Sequence, residues 1–179
     1  MTEEVPFMTL PPDYHTAIGV ITVNGALMDQ LVDHAIWVVL KMAPDHGKVV
    51  TDLLVNTSRK IRFLRDLLNP MFTDEKIKSD FHDIFMKLKS AQANRSKIVH
   101  AKWVFKPKDR SVHIEVPSSE ENLGAAEPMP LPQLQHYGSE IFRAYTALEN
   151  FFSNIELKPG TTGRHPWPPR GQMRDFRPK

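Results

Sequence analysis

An arginine and a histidine lie five residues apart near the middle of the chain, within residues 94–100 (NRSKIVH). Arginine keeps its proton at physiological pH and can stabilise negative charge on a phosphoryl group. Histidine exchanges protons most readily near neutral pH. On a phosphodiester, His100 would exchange a proton with the ribose 2′-hydroxyl or the leaving oxygen, while Arg95 would stabilise the developing charge. This chemistry needs no metal ion, and DNA would escape it because DNA lacks the 2′-hydroxyl.

Arg95 occupies a position where the helical pattern calls for an apolar residue. The apolar residues that precede it on the same face are Ile77, Phe81, Phe85 and Leu88. Burying a guanidinium requires a carboxylate, a phosphate or water. Side chains five residues apart point about 140° from one another on an ideal helix, so a straight helix does not direct Arg95 and His100 at one atom. Arginine's reach, a frayed terminus or a second subunit would bring them together; a structural pair at a helix end is the alternative.

Composition excludes several other classes of protein. The chain has 179 residues, 41% apolar and 25% charged, which suits a domain with a sizeable core. It has no cysteine, so disulfides and thiolate sites are excluded. The histidines show no paired ligand spacing and the glycines form no phosphate loop, so we expect neither a metal nor a cofactor. Residues 1–10 do not read as a signal peptide, and charges interrupt the apolar stretch 18–42, so we expect a cytoplasmic protein outside the membrane.

Positive charge is concentrated around the motif. The formal net charge is +2, yet residues 86–110 hold eight basic side chains and one acid, a local charge of +7. Residues 158–179 hold six basic side chains and one acid. Basic clusters attract polyanions such as RNA, although a solvated lysine-rich surface has the same composition.

Apolar periodicity and helix caps predict five helices, at about residues 13–42, 45–55, 58–68, 73–99 and 132–155. The first has so broad an apolar arc that it suits a central helix or one shared between two subunits. On its polar side, Trp37 indicates partly covered surface or a partner interface. In the third helix, Ile61, Leu64, Leu67 and Leu68 should face inward, and four basic residues should face solvent: Arg59, Lys60, Arg62 and Arg65.

After His100 the period changes, and residues 103–116 predict a β-hairpin around a proline turn. We therefore expect a mostly α protein, an up-and-down bundle of about five helices with a small hairpin after the motif helix. Residues 13–157 would form one domain, with a proline-rich linker at 117–131. Residues 1–12 would be a flexible leader, and 158–179 a disordered basic tail.

The whole arrangement resembles the HEPN superfamily of small helical proteins. Residues 95–101 (RSKIVHA) fit that family's R-x4–6-H pattern at its shorter spacing, near the end of a long helix. The flanks are similar too, with Asn94 before the arginine and Lys102-Trp103 after the motif. Residues 27–31 (LMDQL) and 36–37 (IW) resemble the first helix of bacterial relatives. The resemblance covers roughly residues 13–155.

The resemblance implies two functions. Many members are metal-independent ribonucleases of toxin–antitoxin or antiviral systems, and act as homodimers with two motifs in one cleft. On this reading Arg95 and His100 are catalytic, and the substrate contacts are Asn94, Ser96, Lys97 and Lys102. Active members carry Asn, Asp or His where this chain has Ser96, and several branches are non-catalytic binding or sensing modules. An antitoxin is a possible partner on the first reading. On the second reading the chain uses its basic tail and hairpin to engage a partner protein or nucleic acid, and Arg95 pairs internally with Asp29 or Asp33.

Overall fold

The computed structural model describes residues 10–106, 108–116 and 126–154. The predicted basic tail and most of the predicted leader and linker lie outside these residues. Five α-helices account for most of the described chain. They are α1 (Pro12–Leu40), α2 (Pro44–Asp52), α3 (Thr57–Leu68), α4 (Glu75–Val99) and α5 (Leu131–Asn154).

The helices begin where the sequence offers caps. Pro44 opens α2, because a missing N–H costs nothing at a helix start. The Asn56 side chain precedes α3 and accepts a hydrogen bond from the backbone N–H of Arg59 at 3.0 Å. Asp74 accepts from two backbone N–H groups at the start of α4, at 2.8 and 3.2 Å. A single 3₁₀ turn, Asn69–Met71, follows α3, because Pro70 cannot continue the helix.

The predicted hairpin forms part of a three-stranded antiparallel sheet. Strand β1 (Lys102–Lys106) pairs with β2 (Ser111–Glu115), which also pairs with the short β3 (Glu127–Pro128). Strand β3 falls inside the stretch predicted to be a linker, and the sequence did not predict it. A mostly α fold with a small hairpin is confirmed.

The contacts form two compact units. The first combines the described residues through Met28 with Met86–Tyr145, and therefore contains the whole motif and the sheet. Its buried side chains include Ile21, Leu88, Ile98, Ile114, Met129 and Leu134. Within it, the Tyr14 hydroxyl donates to the Met129 carbonyl at 3.0 Å, and the Asn24 amide donates to the Gly138 carbonyl at 3.2 Å. These bonds hold the first half of α1 against the first turns of α5 and the residues just before it.

The second unit combines Asp29–Phe85 with the described residues from Thr146 onward. Its core contains the predicted inward residues Ile61, Leu64 and Leu68 and a set of aromatic rings, Phe72, Phe81, Phe151 and Phe152. Trp37 is half-buried: its ring packs on Gly47, and its Nε1 donates to Thr51 Oγ1 at 3.3 Å. Partial cover of this aromatic is therefore confirmed. The cover comes from α2 and from the ring of His34 in α1, both within the same chain.

Candidate functional site

The motif occupies the last turns of α4 and the residue after it. Arg95 is half-buried, whereas His100 is exposed, one residue beyond the helix. The backbone N–H of His100 donates to the Ser96 carbonyl at 3.1 Å, so the backbone keeps its helical hydrogen bonding up to the histidine. Among the described residues no hydrogen bond or ion pair joins Arg95 to His100. Within one chain, the two groups therefore do not converge through a direct contact.

The Arg95 side chain has an unusual environment. Its Nε is shielded from solvent and has no hydrogen-bond partner, and the guanidinium forms no ion pair with any residue that the structure describes. The aliphatic stem of Arg95 and its Nε lie against Gly25 of α1. Because a guanidinium stays charged, a buried N–H without an acceptor is costly. An anion or an ordered water would satisfy it.

The neighbours predicted to hold a substrate are mostly engaged within the chain. The Asn94 amide donates to Glu140 Oε2 at 2.8 Å. Lys97 Nζ lies 2.5 Å from Glu127 Oε1, and Lys102 Nζ lies 3.4 Å from Glu115 Oε2. Ser96 is half-buried. Arg95 thus differs from the cations around it, since Lys97 and Lys102 both have a carboxylate nearby.

The carboxylates that the binding-module hypothesis assigned to Arg95 have another partner. Lys60 Nζ lies 2.9 Å from Asp33 Oδ2 and 3.4 Å from Asp29 Oδ1. The expectation that Lys60 faces solvent is wrong, because only 9% of the residue is exposed. Two acids one turn apart on α1 provide the negative charge that lets an ammonium be buried beside them.

The ionisation of this cluster follows from its composition. Burial favours the neutral amine of Lys60, but the hydrogen bond to Asp33 and the charges of both carboxylates outweigh it and raise the pKa of Lys60. Burial also raises the pKa of Asp33, and Lys60 only partly offsets that effect. Two carboxylates share one ammonium, so the charge of Asp33 is incompletely balanced. The sequence did not predict this cluster of Asp29, Asp33 and Lys60. Its only sign in the sequence is that Asp29 and Asp33 lie one helical turn apart.

A second polar network crosses the hairpin. Ser111 Oγ donates to Asp109 Oδ1 at 2.7 Å and lies 2.8 Å from His113 Nε2. The side-chain and backbone hydrogen bonds from Ser111 lower the pKa of Asp109. A serine nucleophile needs its carboxylate on the far ring nitrogen of the histidine. Here the carboxylate binds the serine instead, and His113 Nδ1 is buried without a partner. The network therefore stabilises the turn and has no triad geometry.

An open groove of about 760 Å³ runs between α1 and α5 in the first unit. Its lining includes Asp13, Val20, Asn24, Gln135, Phe142 and Arg143. Beside it, the outer side of α1 exposes Val20, Val23 and Leu27, and α5 exposes Phe142 at 53%. No charged residue interrupts α1 between positions 16 and 28. This part of α1 therefore presents an uncharged, apolar outer surface.

The remaining features concern ions and membranes. Across residues 10–106, 108–116 and 126–154, no three His, Asp or Glu side chains group as metal ligands would. None of the described helices combines the length and apolar composition that crossing a membrane requires. Among the described residues around the motif, six basic side chains are exposed, namely Lys87, Lys89, Lys102, Lys106, Lys108 and Arg110. They give the first unit a positively charged surface at the hairpin and along α4.

Comparison of the chain with protein-family models, with curated proteins and with solved structures finds no match in any of the three.

Proposed function

We propose that this protein is a metal-independent endoribonuclease of the HEPN type and that it acts as a homodimer. The observation that carries the proposal is Arg95 Nε, which is buried without a hydrogen-bond partner among the described residues and lies five residues before an exposed histidine. A phosphoryl group would supply the missing acceptor. The sequence motif supports the same interpretation, because it combines a permanent cation with a group that titrates near neutral pH.

The chemistry is transfer of a phosphoryl group within the RNA strand. The ribose 2′-oxygen attacks the adjacent phosphorus and loses its proton, and the 5′-oxygen of the next nucleotide leaves and takes up a proton. His100, exposed beyond α4, is the group that exchanges these protons. Arg95 binds the non-bridging oxygens, whose charge increases in the transition state. The exposed lysines near the motif attract the RNA backbone and make binding sensitive to salt.

The dimer addresses the separation of the two catalytic groups. Two motifs facing one cleft would let arginine and histidine from different subunits act on the same phosphate. The apolar outer surface of α1 supports such an interface, since an exposed apolar patch of this kind is typical of a contact between proteins. Val23, 60% exposed, lies in that patch. We expect Val23→Glu to yield a monomer in light scattering and to lose cleavage.

The matched control is Val49→Glu, because Val49 is similarly exposed, at 63%, and belongs to α2 rather than to the α1 patch. Val49→Glu should leave both mass and cleavage unchanged. A wild-type protein that stays monomeric at the concentration of the cleavage assay would exclude the shared cleft.

The catalytic assignment is tested by incubating RNA with protein in EDTA. Arg95→Ala and His100→Ala should each reduce the cleavage rate at least about 100-fold, the usual range for such groups. Lys48→Ala, which removes an exposed cation of α2 that does not belong to the positively charged surface around the motif, serves as the control and should retain the activity. Cleavage that survives His100→Ala would exclude the proposed mechanism.

A second function is favoured by a separate observation. Asn94, Lys97 and Lys102, three of the predicted substrate contacts, already have partners within the chain. A non-catalytic module would use the exposed basic side chains to bind nucleic acid and leave it intact. Binding of RNA that weakens steeply with salt, without any cleavage in EDTA, would identify this function.

The biological role we propose is that of a cytoplasmic toxin or antiviral effector controlled by an antitoxin. Expression of the wild-type chain in bacteria should then stop growth. His100→Ala should relieve the arrest at equal protein level. Equal arrest by both forms would contradict a role that depends on catalysis.

A further inference from the structure

Gly25 stands at the point where the backbone of α1 approaches Arg95 most closely. A Cβ atom at this position would overlap Arg95 Cδ and lie 2.5 Å from Nε and 3.2 Å from Cγ. The first two contacts are closer than side-chain atoms approach in real structures. Only glycine therefore leaves room for the Arg95 stem where it lies.

The glycine is otherwise unfavourable there. Gly25 is in the interior of the 29-residue α1, where alanine would form the helix better. Gly19, six residues earlier, provides the contrast: a Cβ there would meet no atom within 4 Å. Of these two helical glycines, only Gly25 has a neighbour that requires the missing side chain. That neighbour is Arg95, which forms no ion pair within the described part of the chain.

We propose that Gly25 is a positioning residue for Arg95. The missing side chain leaves a notch in α1 that holds the arginine stem and keeps Nε out of solvent. The inference rests on the proposed ribonuclease function, whose phosphate-stabilising group must be held in place before the substrate arrives. Gly25 itself need not touch the RNA.

The substitution Gly25→Ala adds one methyl group at the point where α1 meets the Arg95 stem. The atoms that the methyl would strike belong to a flexible side chain, so Arg95 moves and the helix stays intact. A displacement of about 1 Å in a catalytic group lowers a rate by about 100-fold. Because Arg95 acts on charge that develops in the transition state, Gly25→Ala should lower kcat about 10- to 100-fold and leave KM nearly unchanged.

The experiment is a double-mutant cycle of Gly25→Ala and Arg95→Ala, with Gly19→Ala as the reference for helix stability. In the Arg95→Ala background the methyl group has nothing to strike. Gly25→Ala should then raise the thermal midpoint as Gly19→Ala does, and should cause no further loss of cleavage. In the wild-type background Gly25→Ala should show a smaller rise in the midpoint, or a fall, together with the loss of kcat.

Two results would overturn the inference. One is Gly25→Ala with wild-type kcat. The other is an equal effect of Gly25→Ala on the thermal midpoint with and without Arg95, which would mean that the glycine serves some other contact. If wild-type protein cleaves no RNA, the proposed function fails, and a role of Gly25 in positioning a catalytic arginine fails with it. The thermal midpoints of the double-mutant cycle would still decide whether Gly25 accommodates the Arg95 side chain.

Discussion

Replacing Lys60 with methionine removes the cation from the Asp29–Asp33 cluster and keeps most of the apolar stem. At an effective dielectric constant of about 20, the contact of 2.9 Å to Asp33 corresponds to a gross attraction of about 6 kcal/mol. The loss of this attraction in the variant is partly offset, because no ammonium group has to be removed from water when the variant folds. A carboxyl with a usual pKa of 3.8 can also take up a proton at neutral pH for about 4 kcal/mol, which limits the cost.

We therefore expect Lys60→Met to lower the free energy of unfolding by about 3 kcal/mol at pH 7, near the low end for breaking a buried pair. We place the loss near the low end because the Asp29 side chain is 34% exposed and stays partly solvated. The thermal midpoint should fall by about 6–12 °C. Urea titration gives the free energy directly.

The pH dependence follows from the sign of the shift. Without Lys60, the folded-state pKa of Asp33 rises further above its unfolded value, so the folded protein binds more protons and loses stability as pH rises from about 4 to 7. Near pH 4 it costs little free energy to protonate Asp33. The free energy of unfolding of Lys60→Met should then be less than about 1 kcal/mol below that of the wild type. In the wild type the pKa of Lys60 is raised, so its contribution to folding stability is fully present below about pH 10.5 and is lost at higher pH.

Lys48→Met is the control. Lys48 lies only 2.6 Å from Asp52, but the two side chains are 68% and 60% exposed, so the loss should stay below about 0.5 kcal/mol. Two results would contradict the role of Lys60 in balancing Asp29 and Asp33. One is a loss of unfolding free energy for Lys60→Met no larger than for Lys48→Met. The other is a loss for Lys60→Met that is equal at pH 4 and pH 7.

Three further substitutions test local features by urea unfolding. Asn56→Ala removes the cap that accepts from Arg59 and should cost about 1 kcal/mol, whereas Asn56→Asp should restore it. Gly47→Ala would bring a Cβ to 2.5 and 2.8 Å from Trp37 ring carbons, and should cost about 1–3 kcal/mol; an unchanged stability would contradict this packing. Val55 has a φ of 53° and is 75% exposed, so Val55→Gly should be neutral or stabilising by up to about 1 kcal/mol, and a clear loss would contradict the strain.

Helix positions were predictable because local signals agree with the packing. The Asn69-Pro70 break and the caps at Asn56 and Asp74 act within a few residues, so the sequence alone locates them. Strand β3 was missed because Glu127–Pro128 is too short to show an alternating pattern and contains proline. Its pairing depends on β2, which is distant in sequence.

The surroundings of charged residues were harder to predict. The pattern of α3 places Lys60 among outward-facing cations, and its burial depends on two carboxylates 27 and 31 residues earlier. Arg95 was recognised as an anomaly on an apolar face, yet its contact with Gly25 lies 70 residues away along the chain. Periodicity reports which face a residue occupies, whereas partners across the fold decide whether a charge there is paired.

The most direct test of the central claim compares two substrates of one sequence with the wild-type protein in EDTA. One is an oligoribonucleotide and the other is its fully 2′-O-methylated copy, in which the attacking hydroxyl is blocked. The proposed mechanism requires cleavage of the first, none of the second and comparable binding of both. Cleavage of the methylated copy at a similar rate, or an intact oligoribonucleotide under conditions of full binding, would contradict it.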